Sequence, residues 1–252
     1  MARGEHRLFG HLDGSEPSSA AEWAARAREE IREIHSQGRL PILVGGTGLY
    51  LRTLLDGIAP VPPIDEAVRR KVREASVEEN RARLLSMDLP TAARLKPTDK
   101  ARIARALEVV LSTGRTLSEW QMQREGGIAD QVELRPIILL PPRDWLYPRC
   151  DERFLSMIDQ GAADEVKSLL ARQLDPDLPI MRSIGVREIG SYLSGEISLP
   201  DAVAAGQQAT RRYAKRQYTW FAHQPPADWP RLREPLDEAT SASALELMTA
   251  KA

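Results

Sequence analysis

Residues 40–50 read LPILVGGTGLY, a short apolar run that leads directly into a glycine-rich loop. A run of this kind is typical of a parallel strand buried on both faces, so we predict a strand over residues 40–44. Backbone N–H groups in the loop can surround an anion where a helix begins, and a tight strand-to-helix turn explains the same glycines. Helical spacing resumes at residues 49–55. A strand, a glycine loop and a helix in this order predict an α/β fold.

Composition and charge bound the class of protein. The chain has 252 residues, of which 35 are basic and 36 acidic, so its net charge is −1. This balance excludes a uniformly basic nucleic-acid coat and leaves room for a local basic face. The single cysteine, Cys150, excludes an internal disulfide and a thiolate zinc site, and the four histidines lack metal-ligand spacing, so no side-chain metal site is expected. Because no apolar run reaches the roughly 18 residues of a membrane helix, we expect a cytoplasmic protein without a membrane segment.

Prolines and apolar runs divide the chain. The proline-rich link at residues 60–63 precedes a charged helical stretch over 66–119, and a second apolar run at 132–140 predicts another buried strand. Ser19 and Glu22 have the spacing of a capping box at the start of an earlier helix. The expected division is the remainder of the α/β core over 1–62, a helical insertion over 63–125, α/β core with C-terminal helices over 126–224, and a tail over 225–252.

Basic residues at helical spacing form the second chemical signal. Arg102 and Arg105 are three residues apart, so they share a helix face that could contact RNA phosphates, or simply face solvent. Arg149 and Arg153 are four apart and could clamp a diphosphate, or pair with neighbouring acids. The segment ATRRYAKRQYTW at 209–220 interleaves cations with aromatic rings, which suits an RNA surface or an amphipathic helix with a buried aromatic face.

Five segments, taken together and in order, resemble the tRNA dimethylallyltransferases, also called tRNA isopentenyltransferases or the IPP transferase family. They are LPILVGGTGLY at 40–50, the link at 57–69, ARIARALEV at 101–109, DLPIMRSIG at 177–185 and ATRRYAKRQYTW at 209–220. The similarity runs from about His6 to about Trp220. It implies a P-loop-kinase-like parallel sheet core, incomplete here at the N-terminus, with a mostly helical insertion that faces tRNA.

The resemblance also implies a reaction and its partners. Family members transfer a dimethylallyl group from dimethylallyl diphosphate to N6 of the adenine next to the anticodon (position 37) in tRNAs that read codons starting with U. The implied partners are dimethylallyl diphosphate and the anticodon stem-loop of tRNA. The resemblance further implies Mg²⁺, for which this sequence shows no evident ligand, together with nucleotide (ATP) binding, a cytoplasmic location and a monomeric state.

Site residues follow from positions within the matching segments. Thr47 and Arg153 match the family residues that hold the diphosphate, and they are the expected catalytic residues. Gly45, Gly46 and Arg149 complete the expected diphosphate site. The expected tRNA-binding residues are Arg69, Arg102, Arg105, Arg182, Arg187, Arg211, Lys215 and Arg216.

The sequence departs from the family pattern in two places. Family members begin with a strand, a P-loop of the GPTASGKS type and an aspartate that acts on the adenine amine, whereas no GxxxxGKS or GxxxxGKT occurs here. Lys100 and Ala101 stand where relatives usually have Pro-Gln. Two alternative functions therefore stay open: a catalytically dead, truncated RNA-binding remnant of such an enzyme, and a relative of the P-loop small-molecule kinases.

Overall fold

The computed structural model describes residues 4–249, apart from the side chains of residues 239, 243 and 249. Their backbone forms two compact units. The first unit contains two segments, the described residues up to Leu51 and those from Val132 onward. The second unit is Arg52–Gln131. The predicted insertion, residues 63–125, lies inside this second unit.

The second unit is a bundle of short helices. They are α3 Glu66–Glu74, α4 Val77–Met87, α5 Leu89–Arg94, α6 Lys100–Thr113 and α7 Leu117–Gln121. Side-chain caps start several of them: Ser76 forms a capping box with Glu79 at α4, and Thr116 forms one with Glu119 at α7. Such caps satisfy backbone N–H groups that a helix leaves without partners.

Helix α6 supplies most of the apolar core of this bundle. Ile103 and Leu107 are fully buried on one face of α6, where they join Val72 of α3 and Leu84 of α4 in a single cluster. Full burial of a side chain of this size stabilises the fold by about 1.5–3 kcal/mol. Because the apolar face of α6 points inward, its basic residues are left on the outer surface.

The first unit combines helices of 8 to 25 residues with a small sheet. Its elements are α1 Ala20–Ser36, α8 Arg143–Asp159, α9 Ala162–Ala171, α10 Val186–Leu193, α11 Leu199–His223 and α12 Glu238–Thr249, with strands β1 Ile138–Leu139 and β2 Arg231–Leu232. Helix α2, Gly48–Asp56, begins in this unit. The predicted capping box of Ser19 and Glu22 is present at α1. None of the described helices is long and apolar enough to cross a membrane.

Phe154 is the packing centre between α8 and α11. It is buried and lies against Gly206, where an added Cβ would come within 2.0 Å of the ring. The missing side chain at Gly206 therefore lets α8 approach α11 closely. This contact fixes the helix that carries Arg149 and Arg153 against the helix that carries the segment 209–220.

The sheet is parallel, as predicted, but shorter than predicted. Strand β1 pairs with β2 in the register Ile138 to Arg231 and Leu139 to Leu232. The predicted strand over 132–140 is thus reduced to two residues. Pairing with β2 is confined to the end of the run, where the backbone N–H groups of Ile138 and Leu140 donate to the carbonyls of Pro230 and Leu232. Helices combined with a parallel sheet agree with the predicted α/β class.

The predicted buried strand at residues 40–44 is wrong. Within the described chain these residues belong to no strand, and their apolar side chains lie exposed, with Val44 at 84%. An apolar run reports hydrophobicity, whereas a strand forms only where a neighbouring backbone offers hydrogen-bond partners. No strand among residues 4–249 pairs with this segment, so the run stays outside the sheet.

Candidate functional site

The glycine loop leads into the N-terminus of α2. The Thr47 carbonyl accepts hydrogen bonds from the backbone N–H groups of Tyr50 (3.0 Å) and Leu51 (3.3 Å), so the first helical turn begins at Thr47. Thr47 itself is exposed. An exposed hydroxyl at the N-terminus of a helix lies where the free N–H groups and the helix dipole favour an anion.

Helix α11 holds this loop in place. The Gln217 side chain donates from Nε2 to the carbonyl of Gly46 at 3.0 Å. A Cβ on Gly46 would lie 2.1 Å from that nitrogen, and a Cβ on Gly48 would lie 2.3 Å from the Trp220 ring. The close approach of α11 therefore requires a glycine at position 48, where the neighbour is a ring, whereas at Gly46 the neighbour is the flexible end of a side chain.

Sequence reasoning missed this role of Gln217 and Trp220. The interleaved rings of residues 209–220 suggested either base stacking or a buried aromatic face, and Trp220, which packs against Gly48, fits the second of these. Tyr218 lies beneath the guanidinium of Arg143, with 4.7 Å from Cζ to the ring centroid. The spacing of three residues between Gln217 and Trp220 puts both on one helix face, and this was the available signal.

Helix α8 carries the two arginines predicted for the diphosphate. Both Arg149 and Arg153 are exposed, and the Arg149 guanidinium stacks over Trp145 with 4.4 Å from Cζ to the ring centroid. Asp151, which could have paired with them, instead forms an ion pair with Arg211 of α11. Burial raises the pKa of the Cys150 thiol, so a thiolate nucleophile is disfavoured beside them.

The remaining cations of this unit differ in their surroundings. Arg211 is half-buried between Asp151 and Gln208, to which its Nη2 donates at 2.7 Å. Lys215 and Arg216 are exposed along α11. Arg182 lies in a 3₁₀ turn, Ile180–Arg182, and Arg187 lies in α10; both are exposed.

The helical unit presents a second group of cations. Arg69 lies on α3 and Arg105 on α6, both on the surface, and Arg102 is exposed while it pairs with Asp99 at 3.3 Å. Partial burial lowers the pKa of Arg105, the charges of Arg69 and Arg73 add to this lowering, and Glu108 opposes it. Arg69 and Arg73 of α3 thus lie close enough to Arg105 of α6 to act on its charge.

The described residues contain no group of three His, Cys, Asp or Glu side chains that could hold a metal ion. In one unit the structure brings together the loop 45–47, Gln217 and Trp220, with Arg149 and Arg153 on the helix packed against α11. In the other it brings together the arginines of α3 and α6. An exposed loop at a helix N-terminus, together with arginine-rich helices, defines an α/β protein whose surfaces suit phosphorylated ligands.

Comparisons with known proteins agree with this class. The sequence profile described as IPP transferase matches residues 1–224. A protein of Erythrobacter litoralis named tRNA dimethylallyltransferase is 64% identical over 227 residues, which are 90% of this chain and 72% of the relative. One of Sphingopyxis alaskensis with the same name is 62% identical over 231 residues, 92% of this chain and 76% of the relative.

Solved structures are similar as well. The tRNA isopentenylpyrophosphate transferase of Bacillus halodurans superposes with a TM-score of 0.64 at 31% identity, over 95% of this chain and 75% of that one. A eukaryotic dimethylallyltransferase, solved while acting on tRNA, gives a TM-score of 0.68 at 26% identity, over 83% of this chain and 54% of that one. The chain belongs to the IPP transferase family, and both the predicted resemblance and the α/β fold class are confirmed.

Proposed function

We propose that this protein transfers a dimethylallyl group from dimethylallyl diphosphate to N6 of adenine 37, next to the anticodon, in tRNAs that read codons starting with U. Prenylation of tRNA adenine is the activity for which its relatives are named. The observation that carries the proposal in this chain is the exposed Thr47 at the start of α2, in a loop held by Gln217 and Trp220. An RNA-binding remnant without activity is the less favoured alternative.

The chemistry requires charge stabilisation on the departing diphosphate. The N6 amine of adenine attacks the allylic carbon, and the bond between that carbon and the diphosphate oxygen breaks with its electron pair going to oxygen. The alkylated N6 then releases a proton to solvent water. Thr47, with the backbone N–H groups of Gly45 and Gly46, is proposed to donate to the diphosphate as its charge grows. Preorganised donors of this kind act most strongly where charge develops in the transition state.

Two arginines of α8 are proposed to assist at the same diphosphate. A planar guanidinium binds phosphate oxygens through two parallel hydrogen bonds, so it both orients and neutralises the group. Arg149 and Arg153 are exposed on a helix that Phe154 fixes against α11. This packing supports their placement on the same rigid unit as the loop that carries Thr47.

The tRNA is proposed to contact basic side chains of both units. In the helical unit these are Arg69, Arg102 and Arg105; in the other unit they are Arg182, Arg187, Arg211, Lys215 and Arg216. All but Arg211 are exposed. Each cation that neutralises a phosphate releases counterions, so the affinity for tRNA should fall steeply with salt.

Mg²⁺ is the expected companion of the diphosphate, because this ion keeps water and phosphate oxygens as most of its ligands. The described side chains include no group of three His, Cys, Asp or Glu that could hold the ion by themselves. We further propose that the protein works in the cytoplasm as a monomer.

One reaction tests the proposal. The purified protein is incubated with unmodified tRNA, dimethylallyl diphosphate and Mg²⁺; the tRNA is then digested, and its nucleosides are analysed by mass, with retention of tRNA on the protein measured in parallel. We expect prenylated adenosine. Retention of tRNA without prenylated adenosine would support the RNA-binding remnant instead, and the absence of both would contradict either function.

A further inference from the structure

A buried carboxylate lies beneath the arginines of the helical unit. The Glu108 side chain on α6 is only 4% exposed, and its Oε1 accepts a hydrogen bond from Nε of Arg73 on α3 at 3.2 Å. Burial of a carboxylate is costly unless charge and hydrogen bonds compensate it. Arg73 provides this compensation from another helix, 35 residues away in the chain.

The Arg73 guanidinium is bonded to protein through Nε, while most of its side chain is exposed to solvent. Its side chain is 62% exposed although Nε is bonded to the buried carboxylate. The bond to Glu108 uses Nε and leaves the two Nη groups, which carry four of the five guanidinium N–H donors. A guanidinium anchored through Nε in this way is preorganised, because less rotational freedom is lost when its outer nitrogens bind an anion.

Two further guanidiniums lie one turn away from this pair on the same two helices. Arg69 precedes Arg73 by one turn of α3, and Arg105 precedes Glu108 by one turn of α6. Partial burial lowers the pKa of Arg105, and the charges of Arg69 and Arg73 lower it further, so Arg105 on α6 is repelled by both arginines of α3. Three positive groups with one carboxylate among them leave an excess of positive charge, which an incoming anion would reduce.

We propose that Arg69, Arg73 and Arg105 form a binding site for a backbone phosphate of RNA, and that Glu108 is the positioning residue that holds Arg73 in this site. The proposal rests on the proposed function, because tRNA is the RNA concerned. The cluster lies on exposed faces of two helices, which suits a polymer backbone that passes over the surface. Arg102, one turn before Arg105, differs because it already pairs with Asp99.

The test is a double-mutant cycle on tRNA affinity, measured at several salt concentrations. Its variants are Arg73→Ala, Glu108→Gln and the double variant. Glu74→Gln serves as a control matched in charge, since Glu74 lies next to Arg73 but is exposed. The melting temperature of each variant reports its folding, and kcat at saturating tRNA reports the chemistry.

We expect Arg73→Ala to weaken tRNA binding about tenfold and to reduce the slope of log affinity against log salt by about one. Arg73→Lys keeps the charge without the planar fork and should recover part of the affinity. The loss should appear in the Kd and KM for tRNA, with a smaller effect on kcat at saturating tRNA. An unchanged salt slope in Arg73→Ala would show that Arg73 is only the structural partner of Glu108, and it would overturn the phosphate site.

The cycle separates positioning from simple electrostatics. Loss of one negative charge alone favours RNA, so Glu108→Gln should tighten binding in the Arg73→Ala background, as Glu74→Gln does in the wild type. In the wild type Glu108→Gln also loosens Arg73, since a hydrogen bond to a charged group is about twice as strong as a neutral one. The change in tRNA affinity caused by Glu108→Gln should therefore be less favourable in the wild type than in the Arg73→Ala background, by about threefold or more. Equal effects in both backgrounds would overturn the positioning role.

Measurements on the wild type distinguish a failure of the phosphate site from a failure of the proposed function. If it binds and prenylates tRNA while Arg73→Ala matches it, the phosphate site is wrong and the proposed function stands. If the wild type fails to bind tRNA, the proposed function fails and the site fails with it. Should Glu108→Gln not fold, the salt slopes of Arg73→Ala and Arg73→Lys decide the phosphate site by themselves.

Discussion

Replacement of Gly48 by alanine should displace the loop proposed to bind the diphosphate, without disturbing the arginines proposed to bind tRNA. The new Cβ would lie 2.3 Å from the Trp220 ring, whereas ordinary contact begins at 3.4 Å. The loop must therefore move away from α11 by about 1 Å, and the overpacking should lower the free energy of unfolding by about 1–3 kcal/mol. Gly48 follows Thr47 directly, so the shift carries the Thr47 hydroxyl with it.

The expected size of the kinetic effect follows from that displacement. A misplacement of about 1 Å at the reacting groups can cost about 100-fold in rate, so we expect Gly48→Ala to lower kcat/KM for dimethylallyl diphosphate by roughly 10–100-fold. The assay is steady-state prenylation at saturating tRNA, with the Kd for tRNA measured separately. That Kd should stay unchanged.

Gly45→Ala provides the matched control for Gly48→Ala. A Cβ at Gly45 meets nothing within 4 Å, so this variant should remain within about twofold of the wild type. Full activity of Gly48→Ala, or equal damage by both variants, would refute the conclusion that contact with α11 positions the loop.

Three other changes test separate parts of the account. Thr47→Ala should lower kcat much more than tRNA affinity, and equal losses in both would remove Thr47 from the diphosphate. Arg102→Ala should weaken tRNA binding and flatten its salt dependence; an unchanged slope would make this arginine structural. The hydrogen bond from Arg172 holds the pKa of the Asp13 carboxyl well below its ordinary value. The stability that this bond adds is complete above the pKa of Asp13 in the unfolded chain, about 3.9, and is lost as the pH falls through the lower pKa of Asp13 in the folded protein. Asp13→Asn should thus lower Tm slightly near neutral pH, with the difference shrinking below about pH 4; a constant difference would exclude this linkage.

Local signals in the sequence were sufficient for much of the helical structure. The capping box of Ser19 and Glu22 starts α1 as predicted, because a cap is a contact between residues three apart and needs nothing from the rest of the chain. The shared face of Arg102 and Arg105 on α6 was predictable for the same reason, since a spacing of three residues alone puts them on one side of a helix.

Contacts between distant residues could not be predicted in this way. The run 40–44 resembles a strand in composition, yet strand formation depends on a pairing neighbour that hydrophobicity does not reveal. Gln217 likewise looks like one polar residue in a basic helix until the structure places its amide on the Gly46 carbonyl, 171 residues away. Arg73 was missed because its partner, Glu108, lies on a different helix.

Incorporation of labelled dimethylallyl into tRNA tests the central claim most directly. The protein is supplied with labelled dimethylallyl diphosphate and either a tRNA with adenine at position 37 or the same tRNA with guanine there. We predict that label enters the first tRNA, at one group per molecule, and stays out of the second. Two results would contradict the assignment of this chain as an adenine-37 dimethylallyltransferase. One is equal label in both tRNAs, and the other is no label in the first tRNA although that tRNA binds to the protein.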